Sequence, residues 1–365
     1  MKLGIRKETS SGEARVAAAP ASVSSLVELG FDVAVVSGAG DLSGITDQDF
    51  VDAGAQIVAS LSDAAPLDIV CTVGPVDAAD IEALADPGIA IGLLDPSNNE
   101  AELVQYAERG VTSIAMEMVP RSTLAQSMDA LSSQATAAGY AAVLLGATEM
   151  PKFMPMLVTA AGTVPPARIL ILGVGVAGLQ AIATARRLGG IVSAYDIRPE
   201  TREQVESLGA KFIEAPTQKM DEGGYAKEVD AETAAKQREV LASAVAESDL
   251  IITTAQIPGR PAPRLIDTSA VEGMRAGSVI IDMAAGSGGN VEGSKPDEEV
   301  NISGVRVLGP TDLAARVAAD ASRMYARNQL EMIKRMVTDG ELALDPDDAV
   351  VGPAITQSPE SGETA

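Results

Sequence analysis

Residues 169–180 read ILILGVGVAGLQ, so four apolar residues run directly into glycines at 173, 175 and 178. With a strand before it and a helix after it, the spacing G-x-G-x-x-G has specific uses: Gly173 permits a tight turn, Gly175 lets a pyrophosphate approach the backbone, and Gly178 allows close packing of helix on strand. Val176 and Ala177 open that helix, where N–H groups and the positive end of the dipole favour phosphate. The next apolar run, IVSAYDI, ends on Asp196 and Ile197, with Arg198 following. A carboxylate about 20 residues past the glycines can accept ribose hydroxyls and repel a 2′-phosphate, which favours NAD over NADP. Arg198 and Arg202 could hold a phosphate, although a solvated charge on a helix is the plainer reading of either.

The chain has no histidine. Oxidising an alcohol or amine removes a proton as well as a hydride and calls for a positioned base. Passing a hydride between two nicotinamides calls for none. The composition therefore leans toward a nicotinamide acceptor, with Lys or Asp still open as a base.

Such residues must be held by strands and helices, and the apolar pattern provides for both. LGI (3–5), DVAVVS (32–37), DIVCTV (68–73), AIGLL (90–94) and TSIAMEM (112–118) read as buried strands separated by helical segments. A second series follows: RILILGV, IVSAYDI, KFIEA, DLIITTA, SVIIDMA and VRVLGP. This is the alternation of parallel sheets covered by helices. The expected fold is α/β, with two Rossmann-like domains of mostly parallel sheets linked by long helices. One such helix is predicted over 127–150, and LAARVAADASRMYARNQLEMIKRMV predicts another that could return the chain to the first domain. The expected division is a discontinuous first domain (1–126 with 311–345), a second domain (127–310) and a disordered tail (346–365) rich in Pro, Ser, Gly and acidic residues.

Composition narrows the partners. Asp plus Glu outnumber Lys plus Arg by 51 to 27, a net charge of −24, which speaks against direct binding of nucleic acid or an anionic membrane. The nine lysines are half as many as the arginines, and so acidic a surface suits hydration at high salt. Nine aromatic residues leave the interior to aliphatic side chains, and the single cysteine, Cys71, inside an apolar run, reads as a buried structural thiol. No apolar run is long enough for a bilayer or forms a secretory leader, so a soluble cytoplasmic chain is expected.

Longer stretches carry a resemblance. Arg6-Lys7-Glu8 followed by Glu13-Ala14-Arg15-Val16 resembles the opening shared by alanine dehydrogenases and the NAD-binding alpha subunit of proton-translocating NAD(P) transhydrogenase. EMVPRSTLAQSMDALSSQATAAGYAAVLLGA, then TAAGTVPPARILILGVGVAGLQAIATARRLG, is similar to the transhydrogenase in particular, and the similarity extends over residues 1 to about 340. It implies that Arg121, Gln126, Asp129 and Ser132 lie against the nicotinamide, with Tyr140 further along, and that the glutamine reaches toward the NADP of a partner. Positions 126, 129 and 132 are i, i+3 neighbours and predict one polar stripe on a helix, with 140 near the face of 129. Gly223-Gly224-Tyr225-Ala226-Lys227-Glu228 matches the family's mobile loop and places Tyr225 on a lid over the dinucleotide. The lysine and histidine of the alanine dehydrogenases have no counterpart in DIVCTVGP or AIGLLDPSNN, and Gly286 stands where those enzymes place an aspartate.

The resemblance implies a peripheral NAD(H)-binding subunit, homodimeric, that presents NADH to NADP on a beta subunit. It would be active in Si-specific, proton-translocating transhydrogenation only with its partners. Membrane subunits would carry the protons and hold this chain at the inner face of the cell membrane. No metal is expected. Two other readings stay open, an alanine dehydrogenase-like enzyme and an NAD-sensing module that transfers nothing.

Overall fold

The central strands of this chain are short apolar runs buried on both faces, as parallel sheets require. The computed structural model describes residues 1–214, 231–257 and 260–358, without the side chains of 231–238. The chain begins with β1 (Lys2–Ile5), β2 (Asp32–Val36), β3 (Gln56–Val58), β4 (Leu67–Cys71), β5 (Leu84–Gly92) and β6 (Val111–Ala115). Next come a small hairpin, β7 (Leu157–Thr159) with β8 (Gly162–Val164), then β9 (Arg168–Leu172), β10 (Ile191–Tyr195), β11 (Lys211–Phe212), β12 (Leu250–Thr253), β13 (Val279–Asp282), β14 (Glu299–Ile302) and β15 (Val305–Leu308). Two short strands, β16 (Val337–Thr338) and β17 (Glu341–Leu342), precede β18 (Ile355–Gln357).

Two units result, residues 1–134 with 314–365 and residues 135–313. In the first, the sheet order is β18-β6-β5-β4-β1-β2-β3, parallel except for β18. Leu3, Ile5, Ile69, Cys71, Ile91 and Ile114 form its core with Tyr325, Met332 and Ile333 from the helix Ala318–Arg335. In the second, the order is β11-β10-β9-β12-β13-β15-β14, parallel except for β14. Its core is aliphatic, with Leu170, Leu172, Ile251, Ile280 and Val307 buried. The chain steps from β9 outward through β10 and β11, then returns to the other side of β9 at β12. Ligands of open α/β sheets bind at such a reversal, outside the carboxyl ends of the strands.

Three expectations need correction. The strand foreseen through Met118 stops at Ala115 and gives way to a 3₁₀ turn over Met116–Met118, since Pro120 is at hand and cannot join a ladder. The long helix foreseen from 127 begins at Ala130, after a separate 3₁₀ helix over Thr123–Met128. The tail foreseen as disordered from 346 is ordered through 358: Val351–Ala354 forms a helical turn and β18 pairs antiparallel with β6. Composition hid the cause, a buried apolar group of Val350, Val351 and Ala354 held by Asp348, which accepts from Arg335 Nε (2.7 Å) and the Val350 and Val351 N–H groups (2.8 and 2.9 Å).

Candidate functional site

The glycine turn follows β9. Gly173 has φ +96°, and a Cβ there would lie 2.6 Å from Thr254 Oγ1, whose hydroxyl donates to the Gly173 carbonyl at 3.0 Å. A Cβ on Gly178 would run into that same carbonyl, so both residues have intrachain reasons to be glycine. Gly175 has none. Its φ of −84° suits any residue and a Cβ would meet no described atom within 4 Å. Gly175 opens the helix Val176–Arg187, whose N-cap makes no side-chain hydrogen bond among the described residues, and a helix start of this kind presents the first-turn N–H groups of Val176 and Ala177 as donors.

Beside this turn, Asp196 directly follows β10 and is 8% exposed. Its Oδ2 accepts from Val174 N (2.7 Å) and Arg198 Nη2 (3.0 Å), and its Oδ1 from Arg198 N and Nε (both 2.9 Å). A carboxylate has about four acceptor sites, so the chain fills them all, two through one side chain that can swing away. Arg198 also reaches the Val174 carbonyl (3.2 Å), and its hydrogen bonds to Asp196 hold the guanidinium above its usual range. This corrects the reading of Arg198 as a solvated helix charge; Arg202 is the exposed one, paired with Glu206 and Glu214. Val176 and Ile197 are exposed apolar residues at 42% and 37%.

Sequence reasoning singled out Gly286 beyond β13 but missed the polar residues that hold this loop and the one beyond β12. Asp282, fully buried, accepts from Thr253 Oγ1 (2.8 Å), Ala284 N (3.0 Å), Asn290 N (3.0 Å) and Val291 N (3.2 Å). Asn290, also fully buried, donates to the Ala255 and Pro263 carbonyls (both 2.8 Å) and accepts from Ala255 N (3.1 Å). These bonds tie both loops to Ala255, the neighbour of the threonine that holds Gly173. The asparagine ending GSGGN was the available signal. Gly286 sits in a 3₁₀ turn, Ala285–Ser287.

In the first unit, Arg121 and Gln126 are exposed, Gln126 on the 3₁₀ helix whose Ala125 and Met128 are buried. Asp129 is half-buried and caps the following helix: its carboxylate accepts from Ser132 N (2.8 Å) and Ser132 Oγ (2.6 Å). The structure therefore brings Asp129 and Ser132 together, but as a cap rather than as a stripe, because residue 126 lies on one helix and 132 on another. Tyr140, 40% exposed, lies further along the helix Ala130–Glu149 and belongs to the second unit. Two residues that escaped notice hold this segment. Asn328 donates to the Ser127 carbonyl (2.8 Å) and accepts from Ser133 Oγ (2.7 Å). Gln134 donates to the Ala321 carbonyl (3.1 Å) and accepts from Arg15 (2.8 Å), whose guanidinium also donates twice to Glu13.

Of the opening motif, Arg6 is buried just past the end of β1 and Val16 is buried too, while Glu8, Glu13, Ala14 and Arg15 are half-buried and Lys7 is exposed. Arg6 pairs with Asp80 at 3.4 Å, while Glu8 accepts from Val73 N (2.6 Å), and burial pushes the Glu8 carboxyl up. Burial pushes the Cys71 thiol to about 12, which suits an inert core residue. The lid motif with Tyr225 lies outside the described residues. Among the described residues no His, Cys, Asp and Glu cluster could hold a metal, and no helix is long and apolar enough to cross a membrane.

Comparison with known proteins bears on both units. Residues 4–138 match the alanine dehydrogenase/PNT N-terminal domain and residues 142–359 the alanine dehydrogenase/PNT C-terminal domain. The chain is 42% identical over 355 residues to the NAD(P) transhydrogenase subunit alpha (first part) of Rickettsia prowazekii, covering 94% of this chain and 92% of that one. To the protein of the same name from Rhodospirillum rubrum it is 46% identical over 343 residues, 91% and 89% of the two chains. The solved transhydrogenase of Sinorhizobium meliloti superposes with a TM-score of 0.91 at 44% identity over 100% of both chains, and a solved L-alanine dehydrogenase with 0.81 at 30% identity over 98% and 95%. Two Rossmann-like units and matches along nearly their whole length lead to one statement: the chain belongs to the alanine dehydrogenase/PNT family.

Proposed function

We propose that this chain is the peripheral NAD(H)-binding subunit of a proton-translocating transhydrogenase, which passes a hydride from NADH to NADP held by a partner beta subunit. The observation that carries the nucleotide reading is Gly175, a glycine that the fold itself does not need, at an uncapped helix start. A bare backbone there fits a pyrophosphate, received by the N–H groups of Val176 and Ala177. Asp196 would take the adenosine ribose hydroxyls as Arg198 releases its carboxylate, and an acid at that position disfavours a 2′-phosphate.

Bound NADH supplies the hydride. Arg121, Gln126, Asp129 and Ser132 orient the nicotinamide end, Gln126 by reaching toward the second nucleotide. Since nicotinamide-to-nicotinamide transfer moves no proton, these residues act by alignment and exclusion of water, and none serves as acid or base. The relatives' names support a subunit that acts within a complex, and we assign the chain a homodimer seated on membrane subunits that conduct the protons.

The test mixes the chain with a transhydrogenase NADP-binding domain and follows hydride exchange. Wild-type protein exchanges, and Gln126→Asn keeps NADH affinity while the exchange rate falls at least about tenfold. Turnover of alanine by the isolated chain would instead establish an amino-acid dehydrogenase, and NADH binding without exchange a sensing module.

A further inference from the structure

The 3₁₀ helix that carries Gln126 spans six residues, Thr123–Met128. Runs beyond three or four residues are uncommon because their hydrogen bonds are poorly aligned, so this one needs support from outside. Burial of Ala125 and Met128 sets its depth, but apolar contact is non-directional and leaves rotation about the axis free. Directional bonds come from the helix Ala318–Arg335, whose Asn328 lies 201 residues beyond Ser127. There Asn328, 7% exposed, donates from Nδ2 to the Ser127 carbonyl at 2.8 Å and accepts at Oδ1 from Ser133 Oγ at 2.7 Å. A carbonyl can only accept, so the amide has one workable orientation.

Those two contacts fall on either side of the turn made by Asp129 and Ser132. Between them, Asp129 N donates to the Gln126 carbonyl (3.4 Å) and Ser133 N to the Asp129 carbonyl (3.3 Å), while the Asp129 carboxylate takes Ser132 N and Oγ. We infer that Asn328 is a positioning residue for hydride transfer: it locks the segment 127–133, and through it aims the exposed Gln126 and fixes the Asp129–Ser132 turn. This rests on the function proposed above. Asn328 touches no reacting group and acts through the backbone of Ser127 and the hydroxyl of Ser133.

The experiment is the exchange assay with an NADP-binding domain, run beside NADH titration and thermal melting. Asn328→Ala is expected to lower the exchange rate about tenfold or more while the NADH dissociation constant moves less than about threefold. In a Gln126→Asn background the same change is expected to lose most of its effect, a coupling that mere destabilisation would not produce. Equal rates in wild type and Asn328→Ala, a parallel loss of affinity and rate, or full additivity with Gln126→Asn overturns the inference. Should Asn328→Ala not fold, Ser133→Ala removes one of the two contacts, and a wild-type rate there is equally fatal. If wild-type protein exchanges nothing, the functional reading is what fails. Amide exchange over 129–133 then decides the lock, with an unchanged rate in the variant refuting it.

Discussion

At the scale of single residues, the three glycines of one motif separate into two kinds. Gly178→Ala drives a methyl into the Gly173 carbonyl, so it is expected to cost about 1–3 kcal/mol of stability together with nucleotide binding. Gly175→Ala meets open space at an ordinary φ; its melting temperature should match wild type while NADH binds at least about tenfold more weakly. Melting curves and NADH titration check both, and an unaltered affinity in Gly175→Ala would remove the pyrophosphate from this turn. The turn these glycines make and the place of Asp196 beside it were legible in the sequence because both are local, set by spacing along one strand-turn-helix unit. Asn328, Gln134 and Asn290 were not. Each is a buried amide whose partners lie far away in sequence, as Ser127 lies from Asn328, and no periodicity announces such a pairing. Arg198 was misjudged for a related reason, since adjacency to Asp196 says nothing about whether a side chain turns outward or folds back.

Elements were legible where apolar runs were long enough to exclude alternatives. β1, β2, β9, β10 and β13 lie where β-branched runs predicted them, whereas β3, β14 and β18 are short, with mixed polarity, and gain their strand character from a neighbour's edge. The helix foreseen over 127–150 starts three residues late because Asp129 spends its carboxylate as a cap. The tail is the clearest case of tertiary structure overriding composition, and it hangs on Asp348. Hydrogen bonding from Arg335 first, with the Val351 and Val350 N–H groups, lowers the Asp348 carboxyl from 3.8 to about 2. A carboxyl lowered on folding stabilises above its unfolded value, and that contribution is lost as pH falls from about 4 through about 2. The tail should therefore stay docked at neutral pH and loosen in acid. Asp348→Asn should loosen it at pH 7, with faster amide exchange at Val350, Val351 and Ile355 and new proteolytic cleavage after Leu344, at a local cost of about 1–2 kcal/mol. Unchanged exchange at those amides would show the apolar group alone suffices.

For the molecule as a whole, a net charge of −24 is a standing repulsion that the fold must overcome. Salt shortens its range from about 30 Å at 0.01 M to about 3 Å at 1 M. The melting temperature is accordingly expected to rise over that interval, and a flat profile would mean the surface charges are already balanced locally. The division of the chain has a different consequence. All residues of the second unit are in place by Leu313, while the first unit still lacks the helix Ala318–Arg335 and the edge strand β18. On a ribosome making the protein from its amino end, the later half of the polypeptide can therefore finish folding before the earlier half. The amino-terminal sheet must meanwhile wait, with Tyr325 and its neighbours not yet synthesised and its apolar face uncovered. Nascent-chain quality control would meet this protein at that interval.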